Sequence, residues 1–173
     1  ESDVDVSFIK KSEIIFLEGY LWDEGEPKKA FEKAINNANK TAMSLSDKFC
    51  VERHKPHFFD LVKNKLDIIF ANEEEIMSLI DTKNFNEVIS FAKEINKLLV
   101  ITRGEKGAIS IKGSEVIEIG IKKKLNVIDL TGAGDLFAAG YLHGLINNFS
   151  QKECLEKGTE LSAKIIQRFG ARI

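Results

Sequence analysis

The chain has 173 residues, 43% of them hydrophobic and 30% charged, which is enough to enclose one good core. Its formal net charge of −2 offers no broad attraction to nucleic acid, so anion binding must be local and no nucleic-acid partner is expected. No apolar run approaches the roughly 20 residues of a membrane span, no signal peptide is recognised, and Cys50 and Cys154 have no partner spacing, which fits reduced thiols in a cytoplasmic protein without a membrane partner.

Short apolar runs alternate with amphipathic stretches along the chain. Ile14 to Glu18 reads as a strand, Pro27 to Lys40 as a helix with proline near its first turn, and Thr41 to Leu45 as the next strand. A helix is predicted around Pro56 to Lys65, with Phe58, Phe59, Leu61 and Val62 as its core face. His54 and His57 lie beside Arg53, but no Cys or carboxylate stands at ligand spacing, so a metal site is not expected there. The strand Asp67 to Phe70 leads to Asn72, a helix cap, and to the helix Glu73 to Leu79 with acidic residues in its first turn.

Phe85 to Asn96 reads as a further helix, and Leu98 to Thr102 as a strand ending in the glycine turn of Gly104 and Gly107. Ala108 to Ile111 and Glu115 to Ile119 read as a hairpin about Lys112-Gly113. Lys122, Lys123 and Lys124 form the one dense basic run, read as a solvated loop with a phosphate contact as the alternative. The last two helices are Ala133 to Ile146, with His143 packed inside it, and Gln151 to Phe169. This alternation predicts an α/β fold, a three-layer sandwich with a mainly parallel central sheet. In such sheets ligands bind beyond the carboxyl ends of the strands, which is where Asn72, Thr102 and the turn at Gly132 fall. No interdomain linker is visible, so residues 1–173 read as one part.

The stretch Val127-Ile128-Asp129-Leu130-Thr131-Gly132-Ala133-Gly134-Asp135-Leu136-Phe137 joins a short apolar strand to a helix through glycines. Gly132 and Gly134 let the backbone turn tightly and approach a ligand closely. The helix that follows would aim its unpaired N–H groups and positive dipole end at the turn, where phosphate is the natural guest. Asp135 would be repelled by such a guest unless it takes a proton from an attacking hydroxyl. The competing reading makes Asp129, Thr131 and Asp135 ordinary cap and first-turn residues.

The segment D-L-T-G-A-G-D-L-F-A-A-G, residues 129–140, resembles the C-terminal signature of the ribokinase-like (PfkB) carbohydrate and nucleoside kinases, written D-T-x-G-A-G-D, with Leu130 where threonine is common. Asn72 and Glu75 match the family's N-x-x-E element, although an Asn cap with acidic neighbours is also how any helix begins. Thr102 and Gly104 match its T-x-G-x-x-G strand end, although a plain hairpin turn would also explain the glycines. Gly158 and the closing Phe169-Gly170-Ala171-Arg172 resemble its last helix and tail. Ser44 to Cys50 resembles the adenosine-kinase-like branch.

The resemblance implies a ribokinase-like fold whose N-terminal part and lid lie outside this chain, so that the chain reads as the nucleotide-binding and catalytic half of a kinase. It implies ATP and Mg2+ as cofactors and, as in many relatives, a monovalent cation such as K+. Asp135 would be the catalytic base, and the backbone N–H groups of Gly132, Ala133, Gly134 and Asp135 would hold the transferring phosphoryl group. Asn72, Thr102, Gly104, Thr131, Gly132, Gly134, Gly158 and Thr159 would line the nucleotide, with Asn72, Glu75 and Asp129 near the metal. The implied acceptor is a small sugar or nucleoside presenting a primary hydroxyl, and the protein a monomer or homodimer. A nucleotide-binding or regulatory module without turnover, and a structural half that folds only with a partner segment, remain as alternatives. No G-x-x-x-x-G-K-S/T element occurs, which disfavours a Walker-type NTPase.

Overall fold

Apolar runs are buried almost from end to end in β2 (Thr41–Ser44), β3 (Ile68–Asn72) and β4 (Leu98–Thr102). Strands covered on both faces need such continuous apolar runs, and parallel strands between helices are where they occur. The computed structural model describes residues 2–22, 27–121 and 125–172, so the basic run Lys122 to Lys124 lies outside the described residues. With β1 (Ile15–Glu18), β5 (Ala108–Lys112) and β6 (Glu115–Ile119), the strands form a six-stranded sheet in sequence order. The sheet is mixed and mostly parallel, with flanking helices, as the alternation predicts. The chain divides into two compact units, the first comprising residues 1–100 and 111–114, the second residues 101–110 and 115–173.

In the first unit β1 pairs parallel with β2, Ile15 opposite Thr41 and Glu18 opposite Ser44, and β2 pairs parallel with β3, Ala42 opposite Ile68. Parallel pairing brings the carboxyl ends Glu18, Ser44 and Asn72 to one edge. The helices are α1 (Val6–Lys11), α2 (Pro27–Asn37), α3 (Lys48–Asp60), α4 (Glu73–Leu79) and α5 (Phe85–Ile95). Met43, Leu45, Phe58, Ile69, Ile76 and Leu99 are fully buried between them. Each such side chain contributes about 1.5–3 kcal/mol by leaving water. Trp22 packs edge-on to Phe31, with ring centroids 5.0 Å apart.

Helix α3 differs from the expectation of a helix starting near Pro56. It starts at Lys48, where the Asp47 side chain accepts from the Cys50 N–H at 2.6 Å, and carries Pro56 inside. Proline lacks the N–H for the ladder and crowds the preceding turn. The backbone yields at His54 (φ −113°, ψ 17°), and the helix leaves through a wider π turn at Leu61–Lys65. Helix α1, capped by Asp5, lies where no element was expected.

In the second unit α6 (Ala133–Ile146) and α7 (Gln151–Ile165) form an antiparallel helical hairpin. Their axes approach through glycine. A Cβ on Gly140 would lie 2.8 Å from Gly158 Cα, and one on Gly144 would lie 2.9 Å from Cys154 Sγ. Ser150 caps α7 and exchanges hydrogen bonds with Glu153 in a capping box. Helix α7 stops at Ile165 instead of reaching Phe169, and Gly170 turns with φ +83°.

Candidate functional site

The turn before α6 is shaped by Asp129. One carboxylate oxygen accepts from the Thr131 N–H at 2.9 Å and the Thr131 hydroxyl at 2.7 Å, and the other accepts from the Gly170 N–H at 2.9 Å. These bonds, the Thr131 N–H foremost, hold its carboxyl below the usual carboxylate range. Asp129 therefore stands ionised, with both oxygens engaged, and ties the closing tail to the turn.

Gly132 is the residue at the start of α6 and takes a left-handed conformation, φ +77° and ψ 5°. A Cβ there would lie 2.9 Å from that of Ala171, so both backbone angle and space require glycine. A glycine brings no side-chain oxygen to cap the helix, and the backbone at Gly134 opens to empty space. The Ala133 N–H donates to the Leu130 carbonyl at 3.1 Å, so in this conformation it is turned to the protein instead of outward as the resemblance implies. Asp135 stands in the first turn of α6 and is exposed.

Thr102 closes β4 and leads into a short 3-10 turn at Gly104–Lys106. Gly104 has φ +57° with open space beside it, whereas a Cβ on Gly107 would fall 2.0 Å from the Ile119 carbonyl oxygen. Beyond Ile119 lies a cavity of about 490 Å³. Ile119, Ile121 and Leu125 form its apolar wall, and Glu156, Thr159 and Ala163 of α7 form the opposite side. The Thr159 hydroxyl is shielded from solvent and has no hydrogen-bond partner. Gly158, expected at the nucleotide, lies where α6 and α7 approach closely: a Cβ on it would lie 2.7 Å from the Phe137 carbonyl oxygen. Apart from Thr159, the residues lining the cavity were not singled out in the sequence, yet positions 156, 159 and 163 fall on one helical face.

In the first unit Asn72 and Glu75 form a closed capping box. The Asn72 side-chain oxygen accepts from the Glu75 N–H at 2.9 Å, while the Asn72 N–H and side-chain amide donate to the two Glu75 carboxylate oxygens at 2.9 and 2.5 Å. Glu75 is only 4% exposed. Burial pushes its carboxyl up to about 7, with Asp47 and Glu74 adding repulsion against the Asn72 hydrogen bonds. The expected metal contacts of Asn72 and Glu75 are thus turned on each other. Close by, Tyr20 donates through its N–H to Ser46 Oγ at 3.1 Å and through its hydroxyl to the Ser46 carbonyl at 3.2 Å. Burial, then Asp47, pushes the Tyr20 phenol up to about 12. Among the described residues no group of three His, Cys, Asp or Glu side chains could hold a metal ion, and no helix is long and apolar enough to cross a membrane.

A family profile described as pfkB family carbohydrate kinase matches residues 1–173. The chain is 31% identical over 112 residues to the cytidine kinase of Thermococcus kodakarensis, covering 63% of this chain and 40% of that protein. The crystal structure of adenosine kinase from Sinorhizobium meliloti superposes with a TM-score of 0.96 at 35% identity, covering 99% of this chain and 54% of that one. A ribokinase II from E. coli solved in complex with ATP and Mg2+ superposes at 0.86 and 18% identity, over 96% of this chain and 56% of that one, which shows the fold alone. The chain therefore spans about half the length of these three proteins, or less.

Proposed function

We propose, because the chain belongs to the pfkB family of carbohydrate kinases, that the full-length protein transfers the γ-phosphoryl group of ATP to a primary hydroxyl of a nucleoside or sugar. The observation that carries this reading is the start of α6, a helix N-terminus begun by a left-handed glycine with an exposed aspartate in its first turn. Asp135 takes the proton from the acceptor hydroxyl as its oxygen attacks phosphorus. The N–H groups at the start of α6, with the helix dipole behind them, hold the charge that spreads over the transferring group. The Ala133 N–H joins them only after it releases the Leu130 carbonyl.

The cavity beside α7 supports a place for the nucleotide base, since the apolar wall of Ile119, Ile121 and Leu125 suits an aromatic ring. Thr102 and Gly104 lie at the strand end on the same unit. Mg2+ fits this chain as an ion held mostly by phosphates and water, which is its ordinary habit. When bound it would neutralise phosphate charge, and the closed Asn72–Glu75 box suits contact with its waters better than direct ligation. A monovalent cation such as K+ beside Asp129 belongs to the same proposal, and rates in K+ against Li+ buffers test it. The adenosine kinase and cytidine kinase similarities support a nucleoside acceptor, and relatives named for sugar substrates support a sugar equally, so both enter the test.

The test is a phosphorylation screen of the full-length protein with ATP against adenosine, cytidine, ribose and fructose, with Asp135→Asn alongside. One acceptor should turn over, and the variant should lose at least about a hundredfold in rate while still binding ATP. Wild-type-like turnover in Asp135→Asn would remove the base assignment. ATP binding without turnover of any acceptor would favour a regulatory module.

A further inference from the structure

The turn that follows β4 and the cavity wall at the end of β6 are fastened to each other at two points. At the first, the Gly107 backbone lies so close to the Ile119 carbonyl that a Cβ would fall 2.0 Å from its oxygen. At the second, an Arg103 guanidinium nitrogen donates to a Glu118 carboxylate oxygen at 2.5 Å. The Arg103 side chain is only 14% exposed, against 50% for Glu118, so the guanidinium is held against the protein and not extended into water. Arg103 lies between Thr102 and Gly104. Glu118 immediately precedes Ile119, and successive strand residues point to opposite faces. The ion pair therefore forms on the side of β6 away from the Ile119 side chain and the cavity it lines.

We infer that Arg103 and Glu118 are positioning residues for the nucleotide, a brace that fixes the Thr102–Gly107 turn against the Ile119–Ile121 wall without touching the ligand. The inference rests on the assignment of that turn and cavity to ATP. A planar guanidinium on a carboxylate fixes direction as well as distance, which a lysine at the same place would not do as well. Loss of the pair frees the turn to move relative to the wall, so bound nucleotide must order it. That cost falls on binding, and the step at Asp135 is left alone.

The experiment uses the full-length protein with Arg103→Glu, Glu118→Arg, the double exchange and Arg103→Lys. For each, the ATP dissociation constant is measured by calorimetry, KM for ATP and kcat in the acceptor assay, and Tm without nucleotide. Each single reversal should raise Kd and KM for ATP about fivefold or more, the scale of one well-formed ion pair, with kcat within about twofold. Arg103→Lys should fall between, and the double exchange should restore both constants to within about twofold. Unchanged Kd and KM in the single variants, a parallel loss in kcat, or a double exchange no better than the worse single variant would each overturn the brace. If those results come from a wild type that binds and turns over ATP, the kinase reading stands and the brace alone falls. A wild type that binds no ATP would overturn both.

Discussion

Glu75 should make the protein less stable as pH rises through neutrality. Its carboxyl is 4% exposed and lies at about 7 in the folded chain against an ordinary 4.5. Between those values the folded chain keeps a proton that the unfolded chain has released, so the contribution is fully present below 4.5 and is lost as pH passes 7. At about 1.4 kcal/mol per pH unit the whole gap is worth about 3 kcal/mol, and about 2.5 kcal/mol of it falls between pH 5 and 8. The carboxyls held below their ordinary range, Asp5, Asp129, Glu153 and Glu160, lose their contribution only as pH falls below this window. The Tyr20 phenol acts far above it. Urea unfolding of the full-length protein in metal-free buffer at pH 5 and 8 should therefore show the loss in the wild type and little of it in Glu75→Gln. The glutamine cannot accept from both Asn72 donors, which costs about 1–3 kcal/mol at either pH and leaves the slope as the informative quantity. A wild-type stability that is level or rising over the window, or an equal slope in the variant, would refute the assignment of the buried proton to Glu75.

Gly132→Val places a branched side chain at φ +77° and against Ala171, so ATP affinity and turnover should fall together; unchanged values of both would remove the anion turn from the mechanism. Thr159→Val removes a solvent-shielded hydroxyl without a partner, so the nucleotide-free protein should hold or gain stability in urea unfolding, up to about 1 kcal/mol, and a clear loss would refute that reading of the hydroxyl.

Elements were legible where one periodicity ran unbroken between strong signals. Glu73–Leu79, Leu98–Thr102, Glu115–Ile119 and Ala133–Ile146 stand where the pattern puts them. Pro56 misled because proline suits the first helical turn, whereas here it sits inside a helix whose true start is the Asp47 cap. The last helix was expected to reach Phe169 because apolar residues continue to that point, yet Phe169 is 84% exposed and the chain bends so that Gly170 can reach Asp129. Such a long-range bond leaves no trace in local periodicity. Gly158 records how closely α6 approaches α7, a contact that local periodicity on α7 does not show either.

Capping and ligand binding compete for the same N–H groups, and this competition separates the two asparagine- and aspartate-rich helix starts that the sequence alone treats alike. At α4 the Asn72 oxygen takes the Glu75 N–H, and Glu75 in return takes both Asn72 donors, so the box is closed and faces inward. At α6 the corresponding position is Gly132, and Asp129, three residues earlier, turns its oxygens to Thr131 and to the tail. The aspartate that could have capped the helix builds the turn instead, and the start of α6 remains without a side-chain cap. An incoming phosphate at α4 would have to displace the buried Glu75 carboxyl that already takes the Asn72 donors, whereas at α6 it would meet donors and a dipole of the favourable sign. Glycine in place of an oxygen-bearing cap costs the helix only a few tenths of a kcal/mol, a small loss beside the stabilisation that oriented donors give a developing phosphoryl charge. That difference is why the start of α6, and not the Asn72–Glu75 box, carries the anion in the proposed mechanism.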